Sequence, residues 1–189
     1  MMEQVLIAFN NDNKKDLHTF FESCADDIKQ HCVNRGHEYT SICPPDLEEE
    51  KVKSLMDSHS ICMVASHGYA DGIYNNEDID LVSTKTANYN LTGKIFYSIS
   101  CYCGINLCPE LKRIGTKLFV GYDDILYIRE CDESFRESAT SGLKSLLEGD
   151  SIDVARKKMY DKYSECINNA TDKHVKRLLL HNKEHLIFE

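Results

Sequence analysis

The chain has no tryptophan, only three prolines and nine glycines in 189 residues. With 42% hydrophobic residues, that scarcity of proline and glycine excludes a low-complexity or disordered chain. Apolar runs such as Val5 to Phe9 and Ile125 to Ile128 fall far short of the roughly 18 residues that cross a bilayer. Positive charge is in deficit: 22 Lys and Arg against 31 Asp and Glu leave a formal charge of −9. A nucleic-acid binder needs a basic face to neutralise phosphates, and an anionic membrane surface asks for the same, so neither is an expected partner. The N-terminal stretch MMEQVLIAFNNDNKK lacks the basic start and cleavage site of a secretory signal, and a cytoplasmic location is expected. Cysteine, by contrast, is plentiful. Nine of them at irregular spacing, an odd count, read as reduced thiols and not as a disulfide framework.

The length is that of one domain, taken as residues 1–189, with core enough to fold without staples. Short unalternated apolar runs at Val5–Phe9, Tyr39–Cys43, Ser60–Ala65, Lys94–Ser100 and Lys117–Gly121 read as strands with both faces covered. Between them lie helical spacings: 16–32 with Leu17, Phe20, Phe21, Cys24 and Ile28 on one side, 47–56 with Asp46 as cap, and 107–114 stopped by Gly115. Three helices are expected after Glu133, at 134–148, 152–168 (Ser151 as cap) and 172–187. Residues 69–90 read as a polar loop with turn signals at Asp71-Gly72 and Asn75-Asn76. Alternating strands and helices predict an α/β three-layer sandwich, a mainly parallel sheet of about five or six strands with a helical C-terminal tail.

In such sheets, sites form at the carboxyl ends of the strands. Three strand ends carry chemistry: Ser66-His67-Gly68, Ser100-Cys101-Tyr102-Cys103-Gly104, and Gly121-Tyr122-Asp123-Asp124. A cysteine nucleophile acts as its thiolate and needs a base beside it. Glycine next to the histidine and shortly after the cysteine allows close backbone approach and leaves N–H groups for an oxyanion. The helix expected near 105 would add acidity to Cys101.

The stretches MVASHGYADGIYNNEDIDL and LTGKIFYSISCYCG resemble the caspase-like fold of cysteine peptidases (clan CD), with caspases, gingipains and CHAT-domain proteases among its members. The shared mark is an apolar strand ending in His-Gly, then a second ending in a small residue, Cys and a nearby Gly. Here the two lie 34 positions apart. The motif-bearing part covers about 60 to 121. Asp71-Gly72-Ile73-Tyr74 is similar to the hairpin after the family histidine, and the helix-rich tail resembles that of CHAT and gingipain-type domains. The chain departs from caspases proper, which carry Gln-Ala before the cysteine and Arg-Gly after it. The resemblance implies a cysteine endopeptidase with Cys101 as nucleophile, His67 as general base and the backbone N–H groups of Gly68 and Cys101 as oxyanion hole. It implies no cofactor and no metal. Cys103 is the rival nucleophile. Several relatives cleave after Arg or Lys through an acidic S1 pocket, which makes Asp12, Asp123 and Asp124 the S1 candidates; Arg113 and Arg129 would serve an acidic P1 residue but sit in no matching motif. The expected partners are a protein or peptide substrate and a regulatory protein.

Two other readings compete: a non-catalytic regulatory or scaffold module of the same fold, and a structural metal protein using Cys101, Cys103, Cys108 and His67. The spacing C-x-C-x₄-C fits zinc knuckles poorly. No phosphate-binding glycine motif is present. Arg156, Lys157, Lys158 and Lys162 read as a solvated helix face.

Overall fold

The computed structural model describes residues 3–14, 16–75, 79–86, 89–129 and 132–189. In chain order the elements are β1 (Gln4–Phe9), α1 (His18–Arg35), β2 (Glu38–Ile42), α2 (Glu49–Ser58), β3 (Ile61–Ala65), β4 (His67–Tyr69), β5 (Gly72–Tyr74), β6 (Asp80–Ser83), a 3₁₀ turn (Thr84–Thr86), β7 (Ile95–Ile99), α3 (Leu107–Arg113), β8 (Leu118–Tyr122), α4 (Glu133–Leu147), α5 (Ile152–Asn169), α6 (Lys173–Glu184) and β9 (Leu186–Phe188).

The apolar runs become the sheet. Its order is β2-β1-β3-β7-β8-β9, parallel except for β9, which returns antiparallel on β8. Because successive strand residues face opposite ways, one run fills two cores. Val5, Ile7 and Phe9 pack with α1, α4, α5 and α6 on one face. Leu6 and Ala8 pack with α2, α3 and the small sheet on the other. The result is the three-layer α/β architecture. On the first face, Phe21, Cys24 and Ile28 of α1 are buried at helical spacing. Tyr97 Oη donates to Ala139 O at 2.7 Å, and the Tyr122 and Tyr163 hydroxyls meet at 2.7 Å, so the buried tyrosines satisfy their polar atoms while tying helices to sheet.

Local signals account for the helix starts in the C-terminal half. Ser151 accepts from Val154 N, Asp132 from Ser134 N and Asp172 from His174 N, each cap contributing about 1 kcal/mol. α1 closes on Gly36 in the left-handed conformation, at φ 73°.

Three expectations need correction. Asp46 does not cap α2; the helix starts at Glu49 without a side-chain cap, and the turn before it is held by Leu47, which sits in the core. The stretch expected as a polar loop carries the three-stranded antiparallel sheet β4-β5-β6, whose strands of three or four residues are too short to show a period. The Asn75-Asn76 turn falls partly outside the described residues. The last helix ends at Glu184, because Leu186 and Phe188 bury themselves by pairing with Tyr122 and Val120 of β8. Among the described residues, no helix is long and apolar enough to cross a membrane.

Candidate active site

His67 and Cys101 stand just past the carboxyl ends of two adjacent parallel strands, β3 and β7. The pairing runs from Ile61↔Ile95 to Ala65↔Ile99, an offset of 34 residues. The same 34 positions separate His67 from Cys101 in the sequence. Both residues therefore follow the sheet at one level. The chains stay together beyond the ladder: a methyl group on Gly68 would lie 2.4 Å from Cys101 O, 2.8 Å from Ser100 Cβ and 3.2 Å from Cys101 N. Only glycine permits that approach, and it sets the Gly68 peptide against the Cys101 peptide.

The His67 ring is held by aromatic neighbours. Phe21 of α1 meets it edge-on at 5.5 Å, and Tyr74 of β5 stacks on it at 5.7 Å, centroid to centroid. Tyr74 lies opposite His67 in the β4–β5 pair, so the small sheet fixes the imidazole plane. Beneath it, Ser66 Oγ donates to Tyr74 O at 2.6 Å and accepts from Asn10 Nδ2 at 3.2 Å, joining the ends of β1, β3 and β5.

Cys101 is half-buried. Its sulfur accepts the Leu126 backbone N–H at 3.3 Å. Burial pushes the thiol above its ordinary range, the Leu126 N–H pulls it down, and the charge of Asp124 adds to the rise. The expected help from a helix N-terminus is absent: α3 begins at Leu107 after the cap residue Asn106, six positions beyond Cys101. A thiol held up in this way depends on a base. Tyr102, directly after Cys101, has φ 60°, a left-handed backbone that costs a non-glycine residue about 1–2 kcal/mol. Tyr102 N→Asp124 O at 3.0 Å and Gly104 N→Tyr122 O at 2.8 Å hold the turn in place. Asn106 N and Leu107 N both donate to Ala70 O, linking it to the β4–β5 turn.

Cys103 lies in the core. It is fully buried, its sulfur is 3.1 Å from Ser98 Oγ, and burial pushes its thiol up to about 11. That separates the two candidate nucleophiles: Cys101 faces the strand-end edge and Cys103 fills the space beneath Gly121. The proposed metal set of Cys101, Cys103, Cys108 and His67 does not converge. Among the described residues, the group whose donor atoms come together is Asp124, His181 and His185, a cluster with no local signal beyond an i, i+4 histidine spacing.

The S1 candidates separate as well. Asp123 and Asp124 follow β8, the strand next to β7, but both are engaged from α6 and its end: Asp123 Oδ1 lies 2.8 Å from His185 Nδ1, and Asp124 Oδ2 lies 3.7 Å from His185 Nε2. Asp12 follows β1, on the far side of β3 from Cys101, about 10 Å across two strand spacings. It lines a cleft of about 840 Å³ with Lys14, Glu48, Glu49, Glu50 and Asn75, and Asn75 directly follows the tyrosine stacked on His67. Arg113 and Arg129 pair with Glu110 and Asp172. The basic residues of α5 have acidic partners at Asp153, Asp161, Asp150 and Glu165, as a solvated face requires.

No family model and no curated protein matches the chain. Among solved structures it is similar to a flavodoxin from the domain Archaea, at 14% identity and a TM-score of 0.43, over 82% of this chain and 97% of that one.

Proposed function

We propose that the chain is a cysteine endopeptidase of the caspase-like kind, working in the cytoplasm on a protein or peptide substrate. The observation that carries this reading is the contact of Gly68 with Cys101 at one level of two adjacent parallel strands. His67 takes the proton from Cys101 Sγ, and the sulfur forms a bond to the scissile carbonyl carbon. The resulting oxyanion lies by the Gly68 and Cys101 N–H groups, where preorganised donors act most strongly. As the C–N bond breaks, the His67 imidazolium passes its proton to the leaving amine. Water deprotonated by His67 then hydrolyses the thioester, releasing the carboxylate and the thiol. Cys103 has no part in these steps. The eight described cysteines are free thiols, which fits a reducing compartment.

Substrate recognition falls to the acidic cleft. Asp12 and Glu48 to Glu50 outnumber Lys14 there, which favours a basic side chain near the scissile bond. The earlier candidates Asp123 and Asp124 are taken up by histidines. Control by a regulatory protein belongs to the same reading, since an unrestrained protease would harm its own compartment.

The test is a positional-scanning peptide library together with an electrophilic Arg-containing peptide, applied to the wild type and to Cys101→Ala. The reading expects turnover and a covalent adduct on Cys101, both lost in the variant. A wild type that neither cleaves nor labels, or an adduct on another cysteine, would overturn it.

A further inference from the structure

The end of α6 and the end of β8 bring two imidazoles and two carboxylates together, 57 to 62 residues apart in the chain. His181 and His185 are four apart, so they share one side of the helix end, and their rings lie 4.3 Å apart, centroid to centroid. Asp124 Oδ2 is 3.9 Å from His181 Nε2 and 3.7 Å from His185 Nε2. All three donor atoms fall within 4.8 Å of one another. We propose that Asp124, His181 and His185 form a binding site for a divalent transition-metal ion, of which Zn²⁺ is the probe.

Asp124 makes no hydrogen bond to either imidazole. Separations of 3.7 and 3.9 Å are too long for hydrogen bonds. They are close to what a shared cation needs. Zinc–ligand distances near 2.0–2.1 Å in a tetrahedron put ligand atoms about 3.3–3.4 Å apart, so the two Asp124–histidine separations must close by about half an ångström. His181 Nε2 is buried and has no hydrogen-bond partner among the described residues, a cost that a metal ion removes.

The surroundings have the form of a second coordination sphere. His185 Nδ1 lies 2.8 Å from Asp123 Oδ1. A neutral imidazole donating there from Nδ1 leaves its lone pair on Nε2, facing Asp124. The Asp123–His185 contact is thus the carboxylate–histidine arrangement that orients metal ligands. Asp124 is steadied in turn, because its Oδ1 accepts the Ile125 N–H at 2.7 Å and leaves Oδ2 for the ion. Tyr127 meets His181 edge-on at 4.8 Å. His181 also lines a cleft of about 300 Å³ with Tyr127, His174, Arg177 and Leu178. The ion would tie α6 to the segment 123–128, already joined to it by Tyr127 N→Asn182 Oδ1 at 2.9 Å and Asn182 Nδ2→Tyr127 O at 2.6 Å.

The donors are two nitrogens and one oxygen and no thiol, although the site borders the cysteine turn, where Tyr102 N donates to Asp124 O at 3.0 Å. The test is Zn²⁺ titration of the full chain carrying Cys101→Ala, read by competition with a chromophoric chelator, with circular dichroism confirming the fold of each variant. One equivalent should bind. Further substitution of His181→Ala or His185→Ala should weaken binding by at least about 100-fold, and Asp123→Asn by about 10- to 100-fold. The Co²⁺ form should show d–d bands without a thiolate-to-cobalt charge-transfer band. Absence of binding in folded protein, binding indifferent to both histidine substitutions, or a thiolate band would overturn the site. Binding unchanged by Asp123→Asn would remove the second-sphere role.

Discussion

Gly68 is where the proposed chemistry and the packing depend on the same atom. Replacing it with alanine places a methyl group 2.4 Å from Cys101 O and 2.8 Å from Ser100 Cβ. Ordinary contact begins near 3.4 Å, so the methyl is about 1 Å too close to a backbone oxygen. No flexible side chain can swing aside, because the obstacles are the peptide of Cys101 and the first side-chain atom of a buried serine. Relief therefore comes from moving the His67–Gly68 strand away from the turn that carries Cys101. Overpacking of this kind costs about 1–3 kcal/mol. A displacement of about 1 Å between catalytic groups costs about 10²-fold in rate. Gly68→Ala should then lower kcat/KM by about 10²-fold on a peptide substrate, mostly in kcat, and lower stability by about 1–3 kcal/mol in urea unfolding with an unchanged slope. Activity within threefold of wild type and an unmoved urea midpoint would refute the close approach itself. Lost stability with full activity would spare the packing and sink the role of Gly68 beside the nucleophile.

His67→Ala should lower kcat by at least about 10²-fold, the lower range for a positioned base, and an unaltered pH–rate profile in that variant would show that His67 does not activate the thiol. In the same variant, mass-mapped alkylation of Cys101 by a neutral electrophile should rise with pH through a midpoint above the ordinary thiol range, because burial keeps the proton on the sulfur as pH climbs; a midpoint below that range would contradict the assignment of burial as the dominant effect. Cys101→Ala should abolish turnover with little loss of stability, whereas Cys103→Ala should keep turnover and destabilise the core by about 1–3 kcal/mol through the lost packing and the Ser98 contact, and the reverse outcome would exchange the two roles. Asp12→Ala should reduce kcat/KM for Arg substrates by about 30- to 150-fold, the worth of one charged hydrogen-bond pair, and leave Leu substrates unaffected; equal losses on both, or a wild-type preference for Leu or Asp, would remove the acidic cleft from recognition.

The layers and the strand-end edge were legible because their signals are local. A run such as Val5–Phe9 is apolar at every position, which is what a strand covered on both faces requires. The caps Ser151 and the glycine after α4 punctuate the helices where the sequence places them. The short elements were not legible. β4, β5 and β6 contain three, three and four residues, at most two full periods of alternation, and β9 takes three residues from what reads as the last turn of a helix. The side on which each acid would act was out of reach for another reason. β3 lies between β1 and β7, which puts Asp12 on the His67 side of the site and Asp123 and Asp124 beyond Cys101. No local pattern encodes strand order.

The two clusters at this edge differ in how sequence distance becomes contact. His67 and Cys101 inherit their proximity from a regular ladder: the offset of 34 that pairs Ile61 with Ile95 also brings together the residues just past each strand, so the sequence spacing and the spatial register are one quantity. Asp124 and the pair His181–His185 lie beyond the end of an antiparallel pairing instead. They meet because the chain turns at His185 to run β9 back along β8, pairing Leu186 with Tyr122, the residue immediately before Asp123. A single register step in that pairing would change which of residues 186 to 188 face the core, and the burial of Leu186 and Phe188 opposes such a step. The apolar pair thus fixes where His185 stands against the two carboxylates. Truncation or polar substitution at Leu186 and Phe188 would loosen that cluster before it disturbed the β3–β7 level on which His67 and Cys101 depend.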